Sequence, residues 1–131
     1  MNKTQIMIDR YLSEEMAAVS KDLDVIMDSQ EDLTAESVRS LSMVYGAKWD
    51  TLNRVRNYVF NLEEITMDKV QMIKEEIRRM MNEAELYNEK WLTAFEEADG
   101  GDEHCLMIAV QYKAEYLSFK RLLQYIEREV E

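Results

Sequence analysis

Apolar residues recur at a spacing of seven along most of this chain, with charged residues between them. In the last third, two such rows are Ala109, Tyr116, Leu123 and Val130, and Cys105, Tyr112, Phe119 and Ile126. The preceding segment repeats them as Val70, Ile77, Ala84, Trp91 and Ala98, and as Ile73, Met80, Tyr87 and Ala94. Two neighbouring rows at this spacing form one face of an amphipathic helix.

Two earlier segments follow the same rule less regularly. The second segment has Val38, Tyr45, Leu52 and Val59 beside Leu41, Lys48, Val55 and Leu62, so a lysine occupies one apolar slot. The first segment has Leu12, Val19 and Ile26 beside Met16 and Leu23. The pattern predicts helices over about 3–28, 35–63, 67–98 and 103–130 in one domain covering 1–131. The chain has no proline and only three glycines, which tight β-turns require, so we predict an all-α fold.

The boundary between the second and third helices depends on capping residues, because no glycine or proline lies between residues 47 and 99. Thr34 and Thr66 each stand at a position suited to cap a helix, and an acidic residue follows in the first turn. This pattern predicts a break at 63–66. The alternative is an unbroken helix over about 35–98, which would span roughly 90 Å and need a partner in a coiled-coil dimer.

Four helices joined by short turns pack most simply in up-down-up-down antiparallel order, which brings the first and third turns to one end. Residues 22–36 and 96–103 flank those turns and contain no lysine or arginine. We call their acidic residues the acidic pole: Asp22, Asp24, Asp28, Glu31, Asp32, Glu36, Glu96, Glu97, Asp99, Asp102 and Glu103. Their number equals the formal net charge of -11, from 27 acidic and 16 basic residues.

The acidic pole has three interpretations: charge that keeps the protein soluble, a docking site for a basic protein surface, or a divalent cation site. The segment 99–103 lacks the ligand order of a calcium-binding EF-hand loop.

We therefore predict a non-catalytic protein that binds a protein partner with a basic surface. One alternative is a nucleic-acid mimic that inhibits a nuclease or another nucleic-acid-binding protein, such as a bacterial defence effector. Another is a structural protein that assembles with itself. The net charge opposes direct binding to nucleic acid or to an anionic membrane.

Two further sets of residues are candidates for partner contact. Four arginines near the second turn, Arg54, Arg56, Arg78 and Arg79, would bind an anion or a partner unless they pair with Glu75, Glu76 and Glu83. Several apolar residues lie beside the main rows: Met43, Val44, Phe60, Leu106, Val110 and Leu117. They predict an apolar partner face or a homodimer interface, unless a four-helix core absorbs them.

Catalytic residues are not indicated by the sequence. His104 is the only histidine, which excludes a histidine-rich zinc site and a di-iron bundle, and we expect it to be exposed in a first helical turn. Cys105 belongs to an apolar row, and no glycine-rich phosphate loop is present. We predict no enzyme activity, no metal and no cofactor.

The single cysteine and the lack of a secretory signal or long apolar run predict a cytoplasmic location without membrane association.

Overall fold

The computed structural model describes residues 2–29, 31–62, 65–98 and 101–130. Four α-helices follow one another: α1 (Lys3–Asp28), α2 (Ala35–Phe60), α3 (Met67–Glu97) and α4 (Glu103–Tyr125). A π-helical segment, Ile126–Val130, continues α4. The described residues contain no strand, which confirms the all-α prediction. The main difference from the predicted bounds is that α2 ends at Phe60 instead of residue 63.

Each helix begins at a side chain that satisfies a backbone N–H of its first turn. Thr34 and Thr66 each accept a hydrogen bond from the N–H three residues further on, at 3.1 and 3.3 Å. Asp102 accepts one from the N–H two residues on, at 3.0 Å. Asn2 and Gln5 form a reciprocal capping box at the start of α1, at 2.9 and 3.0 Å. Local chemistry therefore decides where all four helices start.

The chain turns between α2 and α3, so the alternative of one unbroken helix is wrong. The turn is fixed by the start of α1: the Asn2 side-chain amide donates to the carbonyl oxygen of Ile65 at 2.6 Å, and Gln5 donates to that of Leu62 at 3.5 Å. These contacts bring the N-terminus and the second turn to the same end of the bundle. The predicted break includes Glu63 and Glu64, which lie outside the described residues.

Helices α1 and α2 run antiparallel. Arg56 forms an ion pair with Asp9 at 3.4 Å near the end that carries the N-terminus, and the Ser42 hydroxyl lies 3.9 Å from the Met27 sulfur near the other end. The pairing of late α2 residues with early α1 residues, and of early α2 residues with late α1 residues, requires opposite directions.

Helices α3 and α4 are also antiparallel, and α4 runs parallel to α2. Asn88 donates to the carbonyl oxygen of Ala109 at 2.7 Å near the start of α4, whereas Arg78 pairs with Glu127 at 3.1 Å beyond its end. The up-down-up-down order is thus as predicted. Helix α4 packs extensively against both α3 and α2, and α1 packs against α2.

The hydrophobic core lies toward the end of the bundle that carries the chain termini and the second turn. Its largest fully buried apolar residues are Ile8, Leu12, Val55, Val70, Ile73, Ile77, Phe119, Leu122 and Ile126. Helix α2 has no buried residue before Thr51, and the described part of α3 has none after Ala84. The bundle is consequently well packed at one end and more open at the other, where the first and third turns lie.

Candidate functional site

The acidic pole lies at the open end of the bundle. The end of α1, the start of α2, the end of α3 and the start of α4 meet there, because each hairpin is antiparallel and α2 is parallel to α4. The ten described members of the pole are all exposed, and none forms an ion pair within the described part of the chain. Asp99 lies outside the described residues.

The members of the pole differ in their local electrostatics. Asp28 ends α1 and Glu97 ends α3, and neither helix has a basic residue in its last turn to compensate. Glu36 and Glu103 stand in the first turns of α2 and α4, where negative charge is favourable. The backbone hydrogen bond from His104 that Asp102 accepts holds the pKa of this carboxyl below its ordinary value.

Asp22 lies apart from the rest of the pole. It lines a groove of about 430 Å³ between α1, α2 and α4, together with Glu15, Lys48 and Arg121. Six residues separate it from Asp28, which is roughly 9 Å along a helix axis. Arg121 pairs with Glu15 in this groove, and Lys48 lies over the ring of Tyr45, so neither cation forms an ion pair with Asp22.

A cleft of about 750 Å³ opens between the starts of α2 and α4, and we call it the α2–α4 cleft. Its apolar lining consists of Ala35, Val44, Leu106, Met107 and Val110. Its polar lining consists of Glu36, Arg39, Ser40, Glu103 and His104. On its α2 side, the cleft lies along the part of the helix that precedes the first buried residue, Thr51. It combines a partly apolar wall with two members of the acidic pole, one on each helix.

The six residues of the predicted apolar face do not form one surface. Val44, Leu106 and Val110 meet in the α2–α4 cleft. Met43 and Leu117 line different grooves, on opposite sides of the contact between α2 and α4. Phe60 ends α2 at the opposite end of the bundle, where 80% of its surface is exposed. The structure brings three of the six residues together in one cleft and places the other three elsewhere, because residues beside one row face different neighbouring helices.

The four predicted arginines do not converge on one anion site either. Each forms an ion pair: Arg54 with Glu115, Arg56 with Asp9, Arg78 with Glu127, and Arg79 with Glu76 and Glu83. Only Arg79 pairs with acids of its own helix, as the alternative interpretation expected. Arg54 and Arg56 lie on α2 and face α4 and α1, because α2 packs mainly against those two helices instead of α3. Arg78 lies on α3 and faces the segment after α4.

Glu115 is a partly buried carboxylate on α4 that was not predicted from the sequence. Only 16% of its side chain is exposed, and burial raises its pKa above the ordinary value. Asp50 and Glu83 raise the pKa further, whereas Arg54, at 2.5 Å, opposes the shift. The available signal was its position between two residues of the apolar rows, Tyr112 and Phe119.

Replacement of Glu115 with glutamine is expected to change stability in a pH-dependent way. A raised pKa means that Glu115 binds its proton more tightly in the folded protein than in the unfolded chain, so the contribution of Glu115 to stability falls as pH rises above about 4.5. The E115Q variant lacks this pH-dependent contribution. Its free energy of unfolding relative to wild type should therefore increase as pH rises from below 4.5 to above it, as measured by urea denaturation.

Glu76 provides the matched control for this measurement. The hydrogen bond from Arg79 lowers the pKa of Glu76, so its charged form stabilises the folded protein above the ordinary pKa of 4.5. The E76Q variant should consequently become less stable relative to wild type as pH rises through the acidic range. A pH-independent difference between E115Q and wild type would contradict the expected burial effect.

The two residues considered for catalysis, His104 and Cys105, lie next to each other in the first turn of α4. His104 is exposed in the first turn of α4, as expected, and lines the α2–α4 cleft. Cys105 is half-buried, and burial together with Asp102 raises the pKa of its thiol, which disfavours the reactive thiolate. Among the described residues, no group of three or more His, Cys, Asp or Glu side chains is arranged to hold a metal ion.

The fold defines the class of this protein as an antiparallel four-helix bundle, with carboxylates concentrated at its open end. Comparison with protein-family models, with curated proteins and with solved structures gives no match to this chain. Across the described helices, no segment has the length and apolar character needed to span a lipid bilayer.

Proposed function

We propose that this protein is a non-catalytic interaction protein that binds a basic surface of another protein through its acidic pole. The observation that carries the proposal is the concentration of exposed carboxylates at one end, without ion pairs in the described residues. Charge of one sign on one end of a protein accelerates encounter with a surface of opposite charge and orients it.

Helix energetics support a role for the pole beyond stability. Asp24 and Asp28 lie near the C-terminus of α1, and Glu96 and Glu97 near that of α3. Each is expected to destabilise its helix by about 0.3–1 kcal/mol at low salt. Solubility alone would be served equally well by acids at helix N-termini, where they stabilise the fold.

Replacing these four acids with asparagine or glutamine (D24N, D28N, E96Q, E97Q) is expected to weaken partner binding without loss of the fold. The variant should be slightly more stable, by about 1 kcal/mol after salt screening, because unfavourable charge leaves two helix C-termini. Partner binding is measured by affinity capture from the source cell with wild-type and variant protein, and stability by urea denaturation.

A matched control separates the position of the charge from its amount. The control removes four exposed acids outside the pole, as E14Q, E75Q, E85Q and E89Q, and thus changes net charge equally. Partner capture should survive in the control and decrease in the pole variant. Equal capture by the pole variant and wild type would contradict the proposed docking role and support the interpretation that the pole only keeps the protein soluble.

A salt titration of the captured complex distinguishes charge-based docking from apolar docking. Affinity should fall as salt increases if carboxylates of the pole face basic groups of the partner. Affinity that is indifferent to salt would contradict the proposal. Competition by nucleic acid for the same partner would identify the narrower function, a nucleic-acid mimic that inhibits a nuclease or another nucleic-acid-binding protein. Self-assembly would instead appear as concentration-dependent stability without a captured partner.

A further inference from the structure

The two walls of the α2–α4 cleft have the same polarity gradient. Along α2, the lining changes from Glu36 at the mouth to Val44 further in, eight residues later on the same helix face. Along α4, it changes from Glu103 to Val110, seven residues later. The parallel directions of α2 and α4 produce this symmetry: both helices begin at the acidic end and become apolar together.

The apolar part of the cleft remains accessible. Val110 is 43% exposed, and Val44, Leu106 and Met107 are only half-buried. The cleft is bounded by two helices, and such grooves accommodate the apolar face of a third helix, with side chains at positions i, i+3, i+4 and i+7.

The charges around the cleft favour a basic occupant. Within it, Arg39 offsets one of the two carboxylates, Glu36 and Glu103, and further negative charge comes from exposed acids at the same end of the bundle. Those acids are Glu31, Asp32, Glu96, Glu97 and Asp102. A second copy of this chain would bring the same acids and a net charge of -11 against them, which disfavours self-docking.

We propose that the α2–α4 cleft receives one amphipathic helix of the partner protein. Apolar side chains of that helix contact Val44, Leu106 and Val110, and lysine or arginine residues on its polar face lie against the acidic pole. This inference rests on the proposed function, since the pole supplies the attraction, and adds the form of the partner segment. Charge gives orientation and encounter rate, whereas the apolar contacts slow dissociation.

A synthetic peptide tests the proposal directly. The probe is a labelled helical peptide of about 14 residues, with leucine at positions i, i+3, i+4 and i+7 and lysine on the opposite face. A second peptide has the same composition in shuffled order, which preserves its charge and destroys its apolar face. Fluorescence anisotropy should show that the amphipathic peptide binds the full chain about tenfold more tightly than the shuffled one.

Val110→Gln places a neutral polar group in the cleft. It should lower the affinity for the amphipathic peptide about tenfold, because one apolar contact is lost. Leu86→Gln is the matched control, since Leu86 is 64% exposed on α3 and is not among the residues lining the cleft. It should leave affinity unchanged. A spin-labelled amphipathic peptide should broaden the amide signals of Val44 and Leu106 in the wild-type protein, which requires no variant to fold.

Failure of this inference is distinguishable from failure of the proposed function. Equal binding of both peptides, or equal effects of V110Q and L86Q, would overturn the helix-in-cleft proposal. If the four-acid pole variant then still loses the captured partner, the proposed function stands without it. Preferential broadening at the cleft together with selective loss in V110Q would support the proposal.

Discussion

Phe119→Ala is expected to lower the free energy of unfolding by about 3–5 kcal/mol. The Phe119 side chain is fully buried in the core at the closed end of the bundle, and its removal leaves a cavity that neighbouring helices cannot fill. Its ring also lies 5.5 Å from the guanidinium carbon of Arg54, so the substitution removes a cation-π contact. Urea denaturation followed by circular dichroism measures the change.

Phe60→Ala is the matched control for the core variant. The substitution is chemically identical, but Phe60 is 80% exposed at the end of α2. We expect its effect to remain within about 0.5 kcal/mol, as for most surface substitutions. Similar destabilisation by both variants would show that the core is not concentrated where the structure has it.

Gly101→Ala is expected to destabilise the protein by about 1–3 kcal/mol. Gly101 has a φ of +79° in the turn between α3 and α4, a conformation that is unfavourable for residues with a Cβ atom. An added Cβ would also lie 2.8 Å from Cε2 of Phe95. Because this turn joins two helix ends of the acidic pole, the variant should also weaken partner capture. Denaturation and capture are measured on the same preparation.

Gly46→Ala is expected to stabilise the protein, in contrast to Gly101→Ala. Gly46 lies in the interior of α2, and no heavy atom outside its local backbone would be within 4 Å of an added Cβ. Alanine should stabilise the helix by roughly 0.5–1 kcal/mol because it restricts the unfolded chain. Stabilisation by G101A would contradict the positive φ assigned to Gly101, whereas destabilisation by G46A would contradict the open surroundings of Gly46.

Local sequence signals predicted most of the helix boundaries, because capping and periodicity involve residues that are close in the chain. Thr34 and Thr66 cap α2 and α3 as their positions indicated. The end of α2 was predicted less well. It lies beside a turn held by hydrogen bonds from Asn2 and Gln5, more than fifty residues earlier in the chain, which no local pattern reveals.

The candidate site could be predicted only in part. The antiparallel order was enough to predict that the two acid-rich turns share one end, because direction alternates in any such bundle. The places of Arg54 and Phe60 could not be predicted in this way. Each depends on which neighbouring helix faces it, and that choice is made by packing between complete helix surfaces.

By itself, the sequence determined the helical class, the helix starts and the position of every charge along the chain, because these follow from spacing and local hydrogen bonding. Only the tertiary structure decided that α4 lies against both α2 and α3, that Glu115 becomes partly buried, and that a cleft opens between α2 and α4. The physical reason is that each helix has several faces of comparable apolar character. The pairing among them depends on how all four helices together bury the most surface with the fewest voids.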